Sequence, residues 1–326
     1  MTRIAVIDDW QEVAPSSADW SALKSRAQVT FFHEPFRDSD HVATALHPFD
    51  IVVLMRERTH FPAGLIQRLP GLRMIGVTGS RIWTLDTEAC TARGIVISHT
   101  GGQQSTAATA ELTLGLLLAA ARRIPAADAA IREGGFQGGV EPGIVLEGRT
   151  LGIIGLGKIG SKLARYGQAL GMNVLAWSPN LTAEKAQAAG ARMTDKAALL
   201  EQSDVVTLHV VLSERSRGLL GKEDLARMKP NAILVNSSRG PLVDEAALVA
   251  AVQSGRLIAA LDVYGQEPLQ ADHPLRGLPN TVLTPHLGYC TTEVYGQFYR
   301  ESVENVLAYL DGKPIRVLNP DVLSKA

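Results

Sequence analysis

The chain has 326 residues, of which 46% are hydrophobic and 20% charged, with a formal net charge of −1. At about 150 residues per domain this length implies two domains, and the apolar fraction suffices for a sizeable core. With charge nearly balanced and no run of Lys or Arg, nucleic acid and anionic membrane are excluded as partners.

The two cysteines, Cys90 and Cys290, are far apart and form no CxxC. They exclude a disulfide framework and a thiolate zinc site, and they point to a reducing, cytoplasmic setting. The N-terminal MTRIAVIDDW leads straight into an apolar strand, without the basic and long apolar regions of a signal peptide. In chain order, short β-branched runs predict strands at 3–8, 28–32, 50–55, 72–77 and 94–98. Segment 99–124 opens as a Gly/Ser/Thr-rich loop and continues as a long helix from near Thr106. Its apolar stretch LTLGLLLAAA (112–121) is shorter than the roughly 20 residues a bilayer requires, and reads as a buried helix. The glycine-rich REGGFQGGVEPG (132–143) is irregular. A second series of strands follows at 151–155, 173–177, 204–210, 232–237, 257–263 and 281–286, then a final helix at 292–312. Almost continuously apolar strands separated by helical segments predict parallel sheets covered on both faces. The chain therefore reads as two α/β units.

The stretch LGIIGLGKIG (151–160) carries Gly155, Gly157 and Gly160 in a GxGxxG pattern, with an apolar strand before it and a helical pattern after it. Gly155 permits a tight turn, Gly157 lets the backbone approach a pyrophosphate, and Gly160 lets helix and strand pack closely. Lys158 and Ile159 open the helix, whose N-terminal amides and dipole favour an anion. A bound dinucleotide, NAD or NADP, is expected here, in the second domain. The next strand ends in NVLAWSPN (173–180), where Ser178 stands in the place of the usual ribose-binding acid. A carboxylate there would repel a 2′-phosphate, and Ser178 does not. SPNLTAEK has no cation before Lys185, so the attraction to a 2′-phosphate rests on Ser178, Asn180 and Thr182. Use of both cofactors is the expectation.

Three polar residues follow three later strands: Arg239 in VNSSRGPLVDE, Glu267 in LDVYGQEP and His286 in LTPHLGY. Ligands of open α/β sheets bind beyond the carboxyl ends of strands, so these side chains can converge. Carbonyl reduction needs a hydride on carbon and a proton on oxygen. Imidazole titrates near working pH and is the natural acid/base. A carboxylate at Glu267 would fix its tautomer, and Arg239 could hold a substrate oxygen through a forked contact. The eight histidines form no HExxH or cluster, and no metal is expected.

Together with LMRERTHFP (54–62), ATAELTLGLLLAAAR (108–122), LEGRTLGIIGLGKIG (146–160), DVVTLHVVLSE (204–214) and LVNSSRGPLVDEAAL (234–248), these stretches make the chain resemble the D-isomer-specific 2-hydroxyacid dehydrogenases over nearly its whole length. The resemblance implies two doubly wound parallel-sheet α/β domains. A Rossmann NAD(P)-binding domain (100–291) is inserted into a flavodoxin-like substrate domain (1–99 plus 292–326), and a cleft closes on ligand. It implies an oxidoreductase interconverting (R)-2-hydroxy acids and 2-keto acids, with Arg239, Glu267 and His286 as its catalytic residues. Asp262 matches the acidic residue near the nicotinamide amide, and His209, Val210, Ser237 and Gly288 match positions beside the cofactor; for His209 a structural role is the alternative. On the substrate side, the loop Gly79, Ser80 and Arg81 matches the backbone loop that holds the carboxylate, and Arg56 matches a substrate-side arginine. The helix at 106–122 resembles the family's dimer-interface helix and implies a homodimer.

The departures are Ser178, Tyr289 in place of a small residue after HxG, Val211 in place of a proline, and Trp83 near the pocket loop. Tyr289 reaches toward substrate or covers the cleft. These bear on specificity, not reaction type. Glu267, where formate-type chemistry would have Gln, argues against that chemistry. The chain end without a regulatory extension argues against a feedback-controlled phosphoglycerate dehydrogenase. Asp8 and Asp9, after the first strand, could face the cleft, but capping a helix start is the stronger expectation. The alternative function is an NAD(H)-sensing binding protein, because the family includes a transcriptional corepressor that keeps the same triad. The absence of appended tails argues against it.

Overall fold

The computed structural model describes residues 1–80 and 83–324; Arg81, expected in the substrate loop, lies outside the described residues. The chain forms two compact units, one of Met1–Gln104 with the chain from Cys290 onward, the other of Ser105–Tyr289.

The first unit holds strands β1 (Thr2–Val6), β2 (Ala27–Phe31), β3 (Ile51–Leu54), β4 (Met74–Val77) and β5 (Val96–His99). All are parallel, in the order β2-β1-β3-β4-β5, the flavodoxin-like arrangement. The runs IVVL and MIGV of β3 and β4 are buried along their whole length, as strands covered on both faces must be. Helix Thr292–Leu310 belongs to this unit. Thr291 caps it by accepting the Val294 N–H at 3.3 Å, and Phe298, Tyr299 and Val306 are buried. Burying each of those side chains contributes about 1.5–3 kcal/mol. Asn305 Nδ2 donates to the His99 carbonyl at 2.9 Å and ties the helix to the end of β5.

The second unit holds β6 (Thr150–Ile154), β7 (Asn173–Trp177), β8 (Arg192–Met193), β9 (Val205–Leu208), β10 (Ala232–Asn236), β11 (Leu257–Leu261) and β12 (Thr281–Leu283). These too are parallel, in the order β12-β11-β10-β9-β6-β7-β8. The order reverses between β6 and β9, as in the Rossmann arrangement. Helix Ser105–Ala121 packs on this sheet through Ala110, Leu116, Leu117 and Ala120.

The structure departs from the sequence expectation in two ways. Strand β8 has only two residues, both exposed, and so no apolar pattern by which to find it. Strands β1, β9, β11 and β12 stop two or three residues before their expected ends: Asp8, His209, Val210, Asp262 and the segment 284–286 have left the ladder. Their backbone instead makes the turns of the site below. Among the described residues no helix is long and apolar enough to cross a membrane.

Candidate active site

The second unit's chemistry gathers at the carboxyl edge of its sheet, where the strand order reverses. Gly155 leaves β6 at φ +99°, a left-handed conformation that suits glycine, and its N–H donates to the Trp177 carbonyl at 2.8 Å. Helix Lys158–Ala169 starts at once, with Gly157 as N-cap. A Cβ on Gly155 would lie 2.5 Å from the His209 carbonyl oxygen, and one on Gly160 would run into the Gly155 carbonyl. One on Gly157 would meet nothing within 4 Å. The fold itself thus requires Gly155 and Gly160, while Gly157 faces open space at a helix N-terminus. The first amides of that helix, from Lys158, Ile159 and Gly160, have no acceptor within it. With the helix dipole they make this space a seat for an anion such as a dinucleotide pyrophosphate.

Beyond β7, Ser178 is half-buried and Asn180 is exposed. The Leu181 N–H donates to the Ser178 carbonyl at 3.1 Å and closes the turn. Thr182 already serves the fold: its hydroxyl oxygen accepts the Lys185 N–H at 3.3 Å and caps helix Ala183–Ala188. Beyond β9, the His209 N–H donates to the Ile154 carbonyl at 2.7 Å, and the Val210 carbonyl accepts the Ser238 hydroxyl at 2.8 Å. Burial pushes the His209 imidazole down to about 3, so the ring is neutral. Its Nε2 is buried without a hydrogen-bond partner among the described residues. The hydroxyls of Ser237 and Thr113 share a bond of 2.6 Å that ties the end of β10 to helix Ser105–Ala121.

His286 lies at φ +56°, where a non-glycine residue costs about 1–3 kcal/mol. Asp262, fully buried just after β11, holds it there. The Asp262 carbonyl accepts the His286 N–H at 2.8 Å. Its Oδ1 accepts the Thr284 hydroxyl at 2.6 Å and the Leu287 N–H at 2.7 Å, and its Oδ2 accepts the Gly288 N–H at 2.8 Å. A Cβ on Gly288 would crowd Oδ2 at 3.3 Å. Burial raises the Asp262 carboxyl above the ordinary range, against these bonds and the charge of His286.

His286 Nδ1 meets Glu267 Oε2 at 2.5 Å. The other carboxylate oxygen, Oε1, accepts the Tyr264 N–H at 3.0 Å. Burial alone would raise the Glu267 carboxyl. The bond and charge of His286, the Tyr264 N–H and the Arg239 charge outweigh it and hold the carboxyl below the ordinary glutamate range. A carboxylate only accepts, so Nδ1 carries a proton and the exchangeable proton belongs to Nε2.

Arg239 sits on a turn that Asn236 braces from both sides. Asn236 Nδ2 donates to the Arg239 carbonyl at 2.9 Å, and Oδ1 accepts the Ser238 N–H at 3.0 Å. Arg239 Nη1 donates to the Ser238 carbonyl at 2.6 Å. Gly240 packs against the Tyr264 main chain with no room for a Cβ, which keeps the arginine turn against the loop of Glu267. Glu245 holds that loop from behind, accepting the Gly265 N–H at 3.0 Å. The Tyr289 ring is buried edge-on to His286, with centroids 5.8 Å apart. Arg239, Glu267, His286 and Asp262 are thus gathered at one edge. The bracing by Thr284, Tyr264, Asn236 and Gly240 was missed in the sequence; an Asn ending an apolar strand before Ser-Ser was the one local signal.

In the first unit, Arg56 and Gly79 meet at the ends of β3 and β4. Arg56 lies at φ +53°, and its N–H donates to Thr78 Oγ1 at 2.9 Å. Its guanidinium covers Gly79, where a Cβ would be 2.6 Å from Nη1. The Gly79 N–H donates to Thr100 Oγ1 at 2.8 Å and anchors the loop whose Ser80 and Arg81 N–H groups are expected to hold a substrate carboxylate. Ser80 is exposed. Asp9 accepts the Val13 N–H at 2.9 Å and the Ala14 N–H at 3.0 Å and so braces the start of helix Ala14–Ser17, although Val13 holds the N-cap position itself. Asp8 does not cap: it is buried, lies at φ +63°, and accepts the Thr59 hydroxyl at 2.9 Å. Among the described residues no group of three or more His, Cys, Asp or Glu is placed to hold a metal ion.

Residues 114–288 match the family described as D-isomer specific 2-hydroxyacid dehydrogenase, NAD binding domain. A D-3-phosphoglycerate dehydrogenase of Archaeoglobus fulgidus is 40% identical over 265 residues, covering 81% of this chain and 50% of the relative; the chain thus spans about half that relative's length. A hydroxypyruvate reductase of Blautia hydrogenotrophica is 31% identical over 329 residues, covering 97% of this chain and 99% of the relative. The crystal structure of a phosphoglycerate oxidoreductase from Vibrio cholerae superposes with a TM-score of 0.90 at 36% identity, covering 96% of this chain and all of that one (100%).

Proposed function

The chain belongs to the D-isomer-specific 2-hydroxyacid dehydrogenase family, and from that premise we propose that it is an NAD(P)-dependent oxidoreductase interconverting (R)-2-hydroxy acids and 2-keto acids. The observation that carries this reading is the 2.5 Å contact of His286 Nδ1 with Glu267 Oε2, at the same sheet edge as the open seat beside Gly157. With the dinucleotide's pyrophosphate at that seat, its reduced nicotinamide would supply the hydride. His286 delivers the proton from Nε2 to the carbonyl oxygen, and takes it back in the oxidative direction. Glu267 keeps Nδ1 protonated and stabilises the imidazolium. Arg239 holds a substrate oxygen through its planar donors. Asp262 fixes the His286 turn and would hold the nicotinamide amide. Arg56 and the Ser80 loop bind the substrate carboxylate.

Both NAD and NADP are used in this reading. Ser178 offers no carboxylate to repel a 2′-phosphate, and no cation precedes Lys185 to attract one. Glyoxylate, hydroxypyruvate or a larger 2-keto acid is the substrate. The protein is a homodimer, and its setting is cytoplasmic. Initial rates of glyoxylate and hydroxypyruvate reduction with NADH and NADPH test the assignment. We expect similar kcat/KM with the two cofactors, and a loss of about 10²–10⁴ in kcat for His286→Ala. Near-normal turnover in that variant overturns the role of His286. A hundredfold preference for either cofactor overturns dual use. Cofactor binding without turnover on a wider keto-acid panel favours the sensor.

A further inference from the structure

The loop 55–60, which carries Arg56, is tied to the end of β1 by contacts that the mechanism above does not use. Thr59 Oγ1 donates to Asp8 Oδ1 at 2.9 Å. Arg58 Nη1 donates to the Asp8 carbonyl at 2.6 Å, and the Arg58 guanidinium lies 4.4 Å over the Trp10 ring. Two non-glycine residues in left-handed conformation, Asp8 and Arg56, lie at the ends of the paired strands β1 and β3. Such conformations persist only where the surroundings over-determine them, and they gather at ligand-binding sites.

Asp8 is an expensive choice for a purely structural position. It is 1% exposed, and its Oδ2 has no hydrogen-bond partner among the described residues. Burial raises its carboxyl to about 6. An apolar residue would pack there without the cost of a buried polar atom. A carboxylate, however, can fix the direction of the Thr59 hydroxyl and hence the path of the loop that presents Arg56. We propose that Asp8 and Thr59 are positioning residues that set Arg56 for the substrate carboxylate. This rests on the substrate-binding role proposed for Arg56. Asp8, being buried, acts through the loop and does not touch substrate.

The test is steady-state reduction of hydroxypyruvate with saturating NADH, together with Kd for NADH, in the full chain. Thr59→Val removes the donor while keeping the shape, and Thr59→Ser restores it. We expect KM for hydroxypyruvate to rise about three- to tenfold in Thr59→Val, as loss of one such hydrogen bond allows. The kcat and the Kd for NADH stay within about twofold of wild type, and Thr59→Ser recovers the wild-type KM. In the double variant Arg56→Ala/Thr59→Val, KM equals that of Arg56→Ala alone, because Thr59 acts only through Arg56. A raised KM in Arg56→Ala with an unchanged KM in Thr59→Val overturns the positioning role and leaves the reading of Arg56 standing. An unchanged KM in Arg56→Ala overturns both.

Discussion

In the proposed mechanism the contact of His286 Nδ1 with Glu267 Oε2 fixes the ring and leaves Nε2 for the substrate oxygen. The bond and charge of His286 help to hold Glu267 below its ordinary range against burial. In Glu267→Gln the carboxylate that accepts the Nδ1 proton is gone. The kcat for keto-acid reduction should therefore fall about tenfold or more while the Kd for NADH is unchanged. An unchanged kcat would disconnect the two side chains. Asp8 has the opposite sign. Its carboxyl, raised by burial to about 6 from an ordinary 3.8, binds its proton more tightly in the folded than in the unfolded chain. Its charge thus destabilises the protein above pH 6, and the penalty is relieved as pH falls toward 3.8. A shift of about two units corresponds to ~3 kcal/mol. Asp8→Asn keeps an acceptor for Thr59 and removes the titration. The Tm of wild type minus that of Asp8→Asn should rise by several degrees between about pH 7.5 and 4.5. A flat difference would show that the buried acid is not strained.

At the scale of elements, the glycine loop separates what folding needs from what a ligand needs. A Cβ at Gly160 strikes the Gly155 carbonyl, so Gly160→Ala must push helix Lys158–Ala169 away from β6. It should lower Tm and weaken NADH binding together. At Gly157 a Cβ meets no protein atom within 4 Å, so Gly157→Ala should leave Tm nearly unchanged while raising the Kd for NADH about tenfold or more. Fluorescence titration and a thermal melt on the two variants decide it. Equal effects on Tm would mean that Gly157 serves the fold alone. The elements themselves were legible where burial on both faces writes a continuous apolar run, as in DIVVLM and AILVN. Strand β8 was illegible because it is an exposed edge pair. The positions of Arg239, Glu267 and His286 were legible as polar residues just past apolar strands. Their bracing was not. The bonds from Thr284 to Asp262 and from Thr59 to Asp8 join segments 22 and 51 residues apart, and a single side-chain bond across such a distance leaves no periodic trace.

At the scale of the molecule, segment 124–145 stands out. Helix Ile124–Arg132 buries none of its residues, and along this segment Ile124, Ile131, Phe136 and Val145 are 51%, 53%, 76% and 72% exposed. Four large apolar side chains left in water along one 22-residue segment are what a protein–protein surface presents. The family resemblance implies a second copy as partner, through the helix at 106–122, and segment 124–145 directly follows that helix. In an isologous dimer each residue counts twice, so covering these four on both protomers removes eight apolar side chains from water. Half to three-quarters of each side chain remains in water, so each contributes that part of about 1.5–3 kcal/mol, a total on the order of the cost of association. The same doubling makes the interface fragile to charge: Ile131→Asp/Phe136→Asp would place four carboxylates in it. Sedimentation equilibrium should give twice the chain mass for wild type and the single-chain mass for the double variant. Kd for NADH should be unchanged in the variant, since neither residue belongs to the glycine loop or its helix. A wild-type protein at the single-chain mass would show that this surface serves some other partner, and a double variant that stays dimeric would place the interface elsewhere on the chain.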